Sequence, residues 1–435
     1  MAMSSSRTGT TGERGDARGM GIGVEECGQR AGPYVGSFAR AACTVQHLAG
    51  NSACPHQRDS PAAVSSLANS GGRRLRAGNI SPVFPVSWAR RLLRKPLLEL
   101  TMKALVAAVS ACLLLAVQGA ARAAAGDEVY ARPGQLVAAD GTRLNLYCTG
   151  RGSPAVVFDS GWEDWAPVWA IVQPEVAKFT RACSYDRAGA GFSDAGRMPR
   201  TSVRIADELH SALHQAGIRG PYILVGHAFG GDNVRTFAAR YTSEAAGLVL
   251  VEADVGGPGE HRGDAQRIAE LRKCRDAVAE GKPLPPLPTR PGRPPRSCAQ
   301  QFFRGLPEAM WSPELNAKLL ELAQTKVALY DAYISEMEQM PTDETYLQQH
   351  RYSLGSRPIL VLSTGNHGVH TLDPARPKST EQQKYQEEVA RAQAGWLELS
   401  SNSKQLFTDQ SSEYIPFDEP AFVIGAIRAE YDESR

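Results

Sequence analysis

The chain has 435 residues, 42% of them hydrophobic, enough for a large core and for more than one compact domain of average size. With 48 Lys and Arg against 46 Asp and Glu, the net charge of +2 gives no electrostatic footprint for nucleic acid, although Arg is clustered in the first hundred residues. Composition therefore excludes a nucleic-acid partner and leaves room for an enzyme-sized fold.

Residues 1–101 are rich in Gly, Ser and Arg, show no sustained period, and read as an over-extended start. Met102-Lys103 followed by the apolar run 104–117 has the length of a secretory signal, and Ala121-Arg122-Ala123 offers a small-x-small cleavage site. The alternative is an uncleaved anchor through 104–117, with Arg90, Arg91, Arg94 and Lys95 on the cytoplasmic side. Reading 102–123 as a signal predicts a periplasmic or extracellular protein whose only membrane contact is that segment. Four of the eight cysteines, Cys148, Cys183, Cys274 and Cys298, lie beyond the cleavage site, and an even number in an exported domain predicts two disulfides. Cys274 and Cys298 bracket a Pro-rich loop that a bridge would close.

After Pro133, short aliphatic or β-branched runs alternate with longer helical patterns, which predicts an α/β fold with a mostly parallel sheet covered on both faces. Strands are expected at 135–138 and 143–148, joined by the hairpin signal Asp140-Gly141, and then at 155–158 and 181–185 around a helix at 167–179. A helix at 201–216, a central strand at 222–225, a helix at 232–241 and a strand at 247–251 follow. Between 256 and 354 this rhythm gives way to helical stretches around the Pro-rich loop, as in an inserted lid. Strands resume at 358–362 and 404–407, and a terminal helix at 419–431 begins with Pro420 where a first turn tolerates it. The domain plan is a core of 134–255 and 355–435 interrupted by a lid of 256–354.

The stretch from Tyr222 through Gly226-His227-Ala228-Phe229-Gly230-Gly231 reads as strand, tight Gly-flanked turn, helix, the context of a nucleophile elbow whose apex residue is held in a strained conformation. Here the apex is Ala228. From about Leu136 onward the chain resembles the α/β-hydrolase superfamily, in particular bacterial members with an inserted lid. Ser160-Gly161-Trp162 stands where that family carries its oxyanion loop, and Tyr185-Asp186-Arg187-Ala188-Gly189 with Gly191-Phe192-Ser193-Asp194 resembles its YDRxGxGxSD stretch. The strand ending in Glu252 resembles one that normally ends in Asp, and Ser411-Ser412-Glu413-Tyr414-Ile415 resembles the family's SGHYI segment. The family's strand order also makes neighbours of the strands holding Cys148 and Cys183, which implies a bridge between them.

The resemblance implies a degenerate triad. Acyl transfer needs a hydroxyl at the apex, an imidazole to take its proton and a carboxylate to orient that imidazole. Ala228 offers a methyl group at the nucleophile position and Glu413 a carboxylate at the histidine position. Loss of the serine or histidine in a comparable enzyme costs on the order of a million-fold in turnover. The oxyanion donors implied are the backbone N–H groups of Trp162 and Phe229, beside Gly161, and His227 is expected to be structural. Glu252, Asp254 and Asp373 are candidates for the acid.

His367 and His370, in a Gly-rich loop opening on the same edge, could join these acids in a metal site, although solvated histidines are the commoner outcome in such loops. Trp169 is expected in the core, Trp162 at a pocket rim, and Asp186-Arg187 as a local ion pair fixing a turn.

Three functions compete. The first is a pseudo-hydrolase that binds a small carbonyl-containing or apolar ligand outside the cytoplasm, without a cofactor. The second is an active enzyme of this fold using a non-standard catalytic group or a metal, with His367, His370 and Glu413 as its convergent residues. The third, a serine hydrolase in which Ala228 is an acquired change, requires a second independent alteration at Glu413.

Overall fold

The computed structural model describes residues 126–256, 264–287, 297–302, 310–370, 372 and 377–435. The segment 102–123 expected as a signal, residues 1–101, the middle of the Pro-rich loop and Asp373 lie outside the described residues. Among the described residues, no helix is long and apolar enough to cross a membrane.

Eight strands form one sheet in the order β1-β2-β4-β3-β5-β6-β7-β8. They are β1 (Gln135–Ala139), β2 (Thr142–Thr149), β3 (Ala155–Asp159), β4 (Ala182–Asp186), β5 (Tyr222–His227), β6 (Ala245–Val251), β7 (Ile359–Thr364) and β8 (Ser403–Thr408). β2 runs antiparallel to both of its neighbours, and the remaining pairs are parallel. Every residue of β3, β5, β6 and β7 is buried, which is why these strands read as continuous apolar runs.

Alternation along each strand feeds two layers. Val156, Phe158, Ile223 and Val225 pack with Trp169, Val172 and Ile427 on one face. Ala155, Val157, Tyr222 and Leu224 pack with Leu209, Leu213 and Phe237 on the other. The helices that supply these residues are α1 (Val172–Val176), α2 (Ser202–Gln215), α3 (Phe229–Arg240) and α9 (Pro420–Glu433). The β1–β2 turn carries Asp140 and Gly141 at φ 38° and 88°, as its Asp-Gly sequence predicts. The segment expected as one helix at 167–179 is split into a 3-10 turn, Ala166–Trp169, and α1.

Between β6 and β7 the described residues form α4 (Asp264–Ala279), α5 (Pro313–Thr325) and α6 (Val327–Gln349), with α4 packed on α6. After β7 comes α7 (Thr380–Ala394), opened by a Ser379/Gln382 capping box, a helix that strand periodicity did not announce. A short α8 (Ile415–Asp418) precedes α9. Cys148 and Cys183 face each other across β2 and β4 and are bridged, Cα to Cα 4.1 Å. Cys274 of α4 is bridged to Cys298, Cα to Cα 5.7 Å.

Candidate functional site

The end of β5 turns into α3 with no intervening loop. Ala228 sits between them at φ 47°, ψ −123°, a region that a side chain occupies only at a cost of order 1–3 kcal/mol. The turn closes because three glycines let their neighbours approach, two of them backbone and one a methyl group. A β-carbon on Gly226 would stand 2.4 Å from the Gly230 carbonyl, one on Gly230 2.4 Å from the Asp159 carbonyl, and one on Gly231 2.3 Å from the Ala253 methyl. α3 therefore starts at Phe229, three residues before the helix expected from the sequence. As the first residue of the helix, Phe229 has no carbonyl a turn back for its N–H.

The loop after β3 lies directly against this apex. A β-carbon on Gly161 would meet Asp164 Oδ2 and His227 Nδ1 at 3.2 Å and the Ala228 methyl at 3.3 Å, so these three groups wall one small space. His227 Nε2 lies 3.0 Å from the Glu413 carbonyl, which can only accept. The proton is thus on Nε2, and the lone pair of Nδ1 faces the space over Gly161. Burial holds the His227 ring below the usual histidine range, consistent with that neutral form. Asp164 is pushed well above the usual carboxylate range by burial and by the charges of Glu413 and Glu163. Ser160 Oγ, Asp164 Oδ1, Trp169 Nε1 and His227 Nδ1 are all buried with no hydrogen-bond partner. Trp169 is fully buried in the core and Trp162 is half-buried against it.

Arg187 clamps the loop in place. Its guanidinium donates to the carbonyls of Ser160 at 2.6 Å and Gly161 at 2.9 Å, to Asp159 Oδ1 at 2.9 Å, and to both carboxylate oxygens of Glu336 at 2.9 and 3.1 Å. All three charged side chains are buried. The expected Asp186-Arg187 ion pair does not form. Asp186 closes β4 and accepts instead from Asn145 and from the backbone of Ala166 and Phe192. Residues adjacent on a strand point to opposite sides, so the two charges diverge. Glu336, on the insertion helix α6, is the partner that sequence reasoning missed. Trp162 Nε1 also reaches α6, donating to the Tyr333 carbonyl at 2.9 Å.

Two histidine–carboxylate pairs stand on the same edge. Glu252 follows β6 at φ 43° and accepts from Thr364 N at 2.6 Å and from His367 Nδ1 at 2.7 Å. Burial raises the Glu252 pKa, and the His367 bond opposes that rise. Gln386 of α7 fixes the His367 backbone from both sides, accepting from its N–H at 2.7 Å and donating to its carbonyl at 2.8 Å. Glu413 follows β8, and its N–H donates to the Val369 carbonyl at 2.9 Å, which ties the two loops together. Its Oε1 lies 2.5 Å from His370 Nδ1. Burial opposes its ionisation, yet the imidazoles of His370, His227 and His367 outweigh burial and hold its pKa at about 2.

The site therefore holds imidazoles, supplied by the loop after β7 where the family-like segment after β8 carries the carboxylate Glu413. Glu252, one of the candidate acids, meets an imidazole, that of His367. Asp254 lies behind the elbow, its N–H 3.3 Å from the Ala228 carbonyl. Each histidine of the 365–370 loop has its own carboxylate. The triple of metal-ligating side chains that converges among the described residues is elsewhere, at His210, His214 and Glu244.

A sheet of this order, an elbow after β5, an oxyanion-type loop after β3 and acid and histidine loops after β6 to β8 define an α/β-hydrolase-fold protein. Comparison agrees: residues 154–272 match the family model for the alpha/beta hydrolase fold. YqjL of Bacillus subtilis strain 168 is 24% identical over 282 residues, 64% of this chain and 83% of that protein. Protein C23C11.06c of Schizosaccharomyces pombe is 44% identical over 82 residues, 19% of this chain, so that the match spans only 15% of the yeast protein. Among solved structures, epoxide hydrolase CorEH without ligand superimposes with a TM-score of 0.52 at 16% identity, covering 69% of this chain and 99% of that one, a likeness of fold.

Proposed function

We propose that this chain is a pseudo-hydrolase, which binds a small carbonyl-containing ligand over Ala228 and does not form an acyl-enzyme. The observation that carries this reading is the small space between Gly161 and Ala228. Its backbone is bent as for a nucleophile, its apex is a methyl group, and His227 Nδ1 on its wall has no partner. Buried polar groups are nearly always satisfied, so an unpaired nitrogen at this point, with Ser160 Oγ and Asp164 Oδ1 also unpaired on the adjoining loop, favours a ligand that supplies the missing bonds. A carbonyl oxygen there would accept from the N–H groups of Trp162 and Phe229, and a ligand N–H or O–H would meet His227 Nδ1. The helices of 256–354 would act as the lid, since α6 already reaches Trp162 and Arg187.

The test uses p-nitrophenyl butyrate as substrate and its non-hydrolysed analogue butyranilide as ligand. The native chain is expected to bind butyranilide saturably in calorimetry and to hydrolyse the ester no faster than buffer. Gly161→Ala, which puts a methyl group into the space, should abolish the binding. Ester turnover by the native chain, or butyranilide binding indifferent to Gly161→Ala, contradicts the reading.

A second reading has its own observation. The pairs His367–Glu252 and His370–Glu413 are oriented imidazoles that could move a proton directly without a covalent nucleophile. It predicts turnover of a carbon acid or lactone that falls at least about a hundredfold in His370→Gln.

We also propose that the chain is exported. Two disulfides support an oxidising compartment, and N-terminal sequencing should find a mature end near Ala124. A mature end far upstream contradicts it.

A further inference from the structure

A second cluster lies at the other end of the parallel strands from the elbow, before β6 and not after β5. His210 and His214 stand four residues apart on α2, so both rings project from one face of the helix. Each Nε2 lies 2.9 Å from a different oxygen of Glu244, which ends the 3-10 turn leading into β6. The three potential donor atoms all lie within 4.8 Å of one another.

We propose that His210, His214 and Glu244 bind a zinc-class divalent ion that clips α2 to the start of β6. Two imidazoles and a carboxylate suit zinc, nickel or copper better than magnesium or calcium, which prefer all-oxygen shells. In a tetrahedral zinc site with bonds of about 2.0–2.1 Å, neighbouring donor atoms are roughly 3.3 Å apart. The His–Glu contacts need to open by only a few tenths of an ångström to admit the ion in place of the bridging protons.

The surroundings hold the donors in position and leave access. The His210 ring stacks on Tyr241 with centroids 3.8 Å apart and planes 3° from parallel, and the Glu244 N–H donates to the Tyr241 carbonyl at 2.8 Å. Tyr241 is itself anchored, its hydroxyl donating to Asp207 at 2.6 Å. The three donor side chains are 22%, 32% and 26% exposed, which lets an ion in from solvent and leaves a coordination position for water.

One group competes. Arg219 Nη1 lies 2.9 Å from His214 Nδ1, and since a guanidinium can only donate, Nδ1 is the acceptor in this arrangement. Metal on Nε2 moves the ring proton to Nδ1, so exposed Arg219 must swing away when the ion binds.

The experiment is calorimetric titration of the chelator-treated full chain with zinc chloride, with a thermal melt alongside. We expect one ion per chain, a higher melting temperature with zinc, and affinity reduced at least about tenfold in both His214→Ala and Glu244→Gln. Arg219→Ala should bind zinc as tightly as the native chain or more tightly. This variant leaves the three donors in place, so its binding separates loss of the site from loss of folding. No saturable zinc binding by the native chain, or binding that persists unchanged in His210→Ala/His214→Ala, overturns the proposal.

Discussion

At the scale of single residues the site turns on Ala228 and Glu413. The apex could be found in the sequence because Gly226 and Gly230 flank it and because only small residues allow that turn. That His367, His370 and Glu413 meet on one edge was expected from the likeness of motif order, but which imidazole takes which carboxylate was not legible, since the residues belong to loops after different strands and no local pattern pairs them. The pairing has a pH signature. The Glu413 pKa is depressed in the folded chain to about 2 from an ordinary 4.5, so its contribution to stability is present above about pH 4.5 and is lost as pH falls toward 2. In urea unfolding, Glu413→Gln should therefore be less stable than the native chain at pH 6, with the gap closing by pH 2 to 3. A gap independent of pH would mean that the charge is not what stabilises the pair. Ala228→Gly should be tolerated and should raise stability by up to about 1 kcal/mol, because glycine relieves the strained backbone at the apex. A clear loss in the same unfolding measurement would contradict the strain.

At the scale of elements, the strands of the core were legible because strands buried on both faces must be apolar throughout. The start of α3 was misplaced, since Gly230-Gly231 is a poor helix former and packing at the elbow overrides that preference. The link between α6 and the oxyanion-type loop was not legible either. It depends on which turn of a 23-residue helix brings Glu336 to Arg187, and the sequence around Glu336 carries no signature of that contact. Because the three charges are buried, Glu336→Gln should cost about 3 kcal/mol of stability in urea unfolding, the effect of removing one partner from a buried ion pair. A change under about 1 kcal/mol would show that α6 is held by its apolar contacts alone.

At the scale of the whole molecule, the sheet order joins distant loops at one edge. Five separate segments, those after β3, β5, β6, β7 and β8, contribute to the space over Ala228 and its surroundings. That convergence follows from the fold, and the likeness of motif order made it readable before the contacts were known. The claim on which the account rests is that no residue of this edge acts as a covalent nucleophile. Intact-mass measurement after incubating the native chain with a fluorophosphonate tests it most directly. An unmodified mass is expected, whereas an adduct of one equivalent on Ser160 or any other residue beside Ala228 would show that this edge does carry a covalent nucleophile.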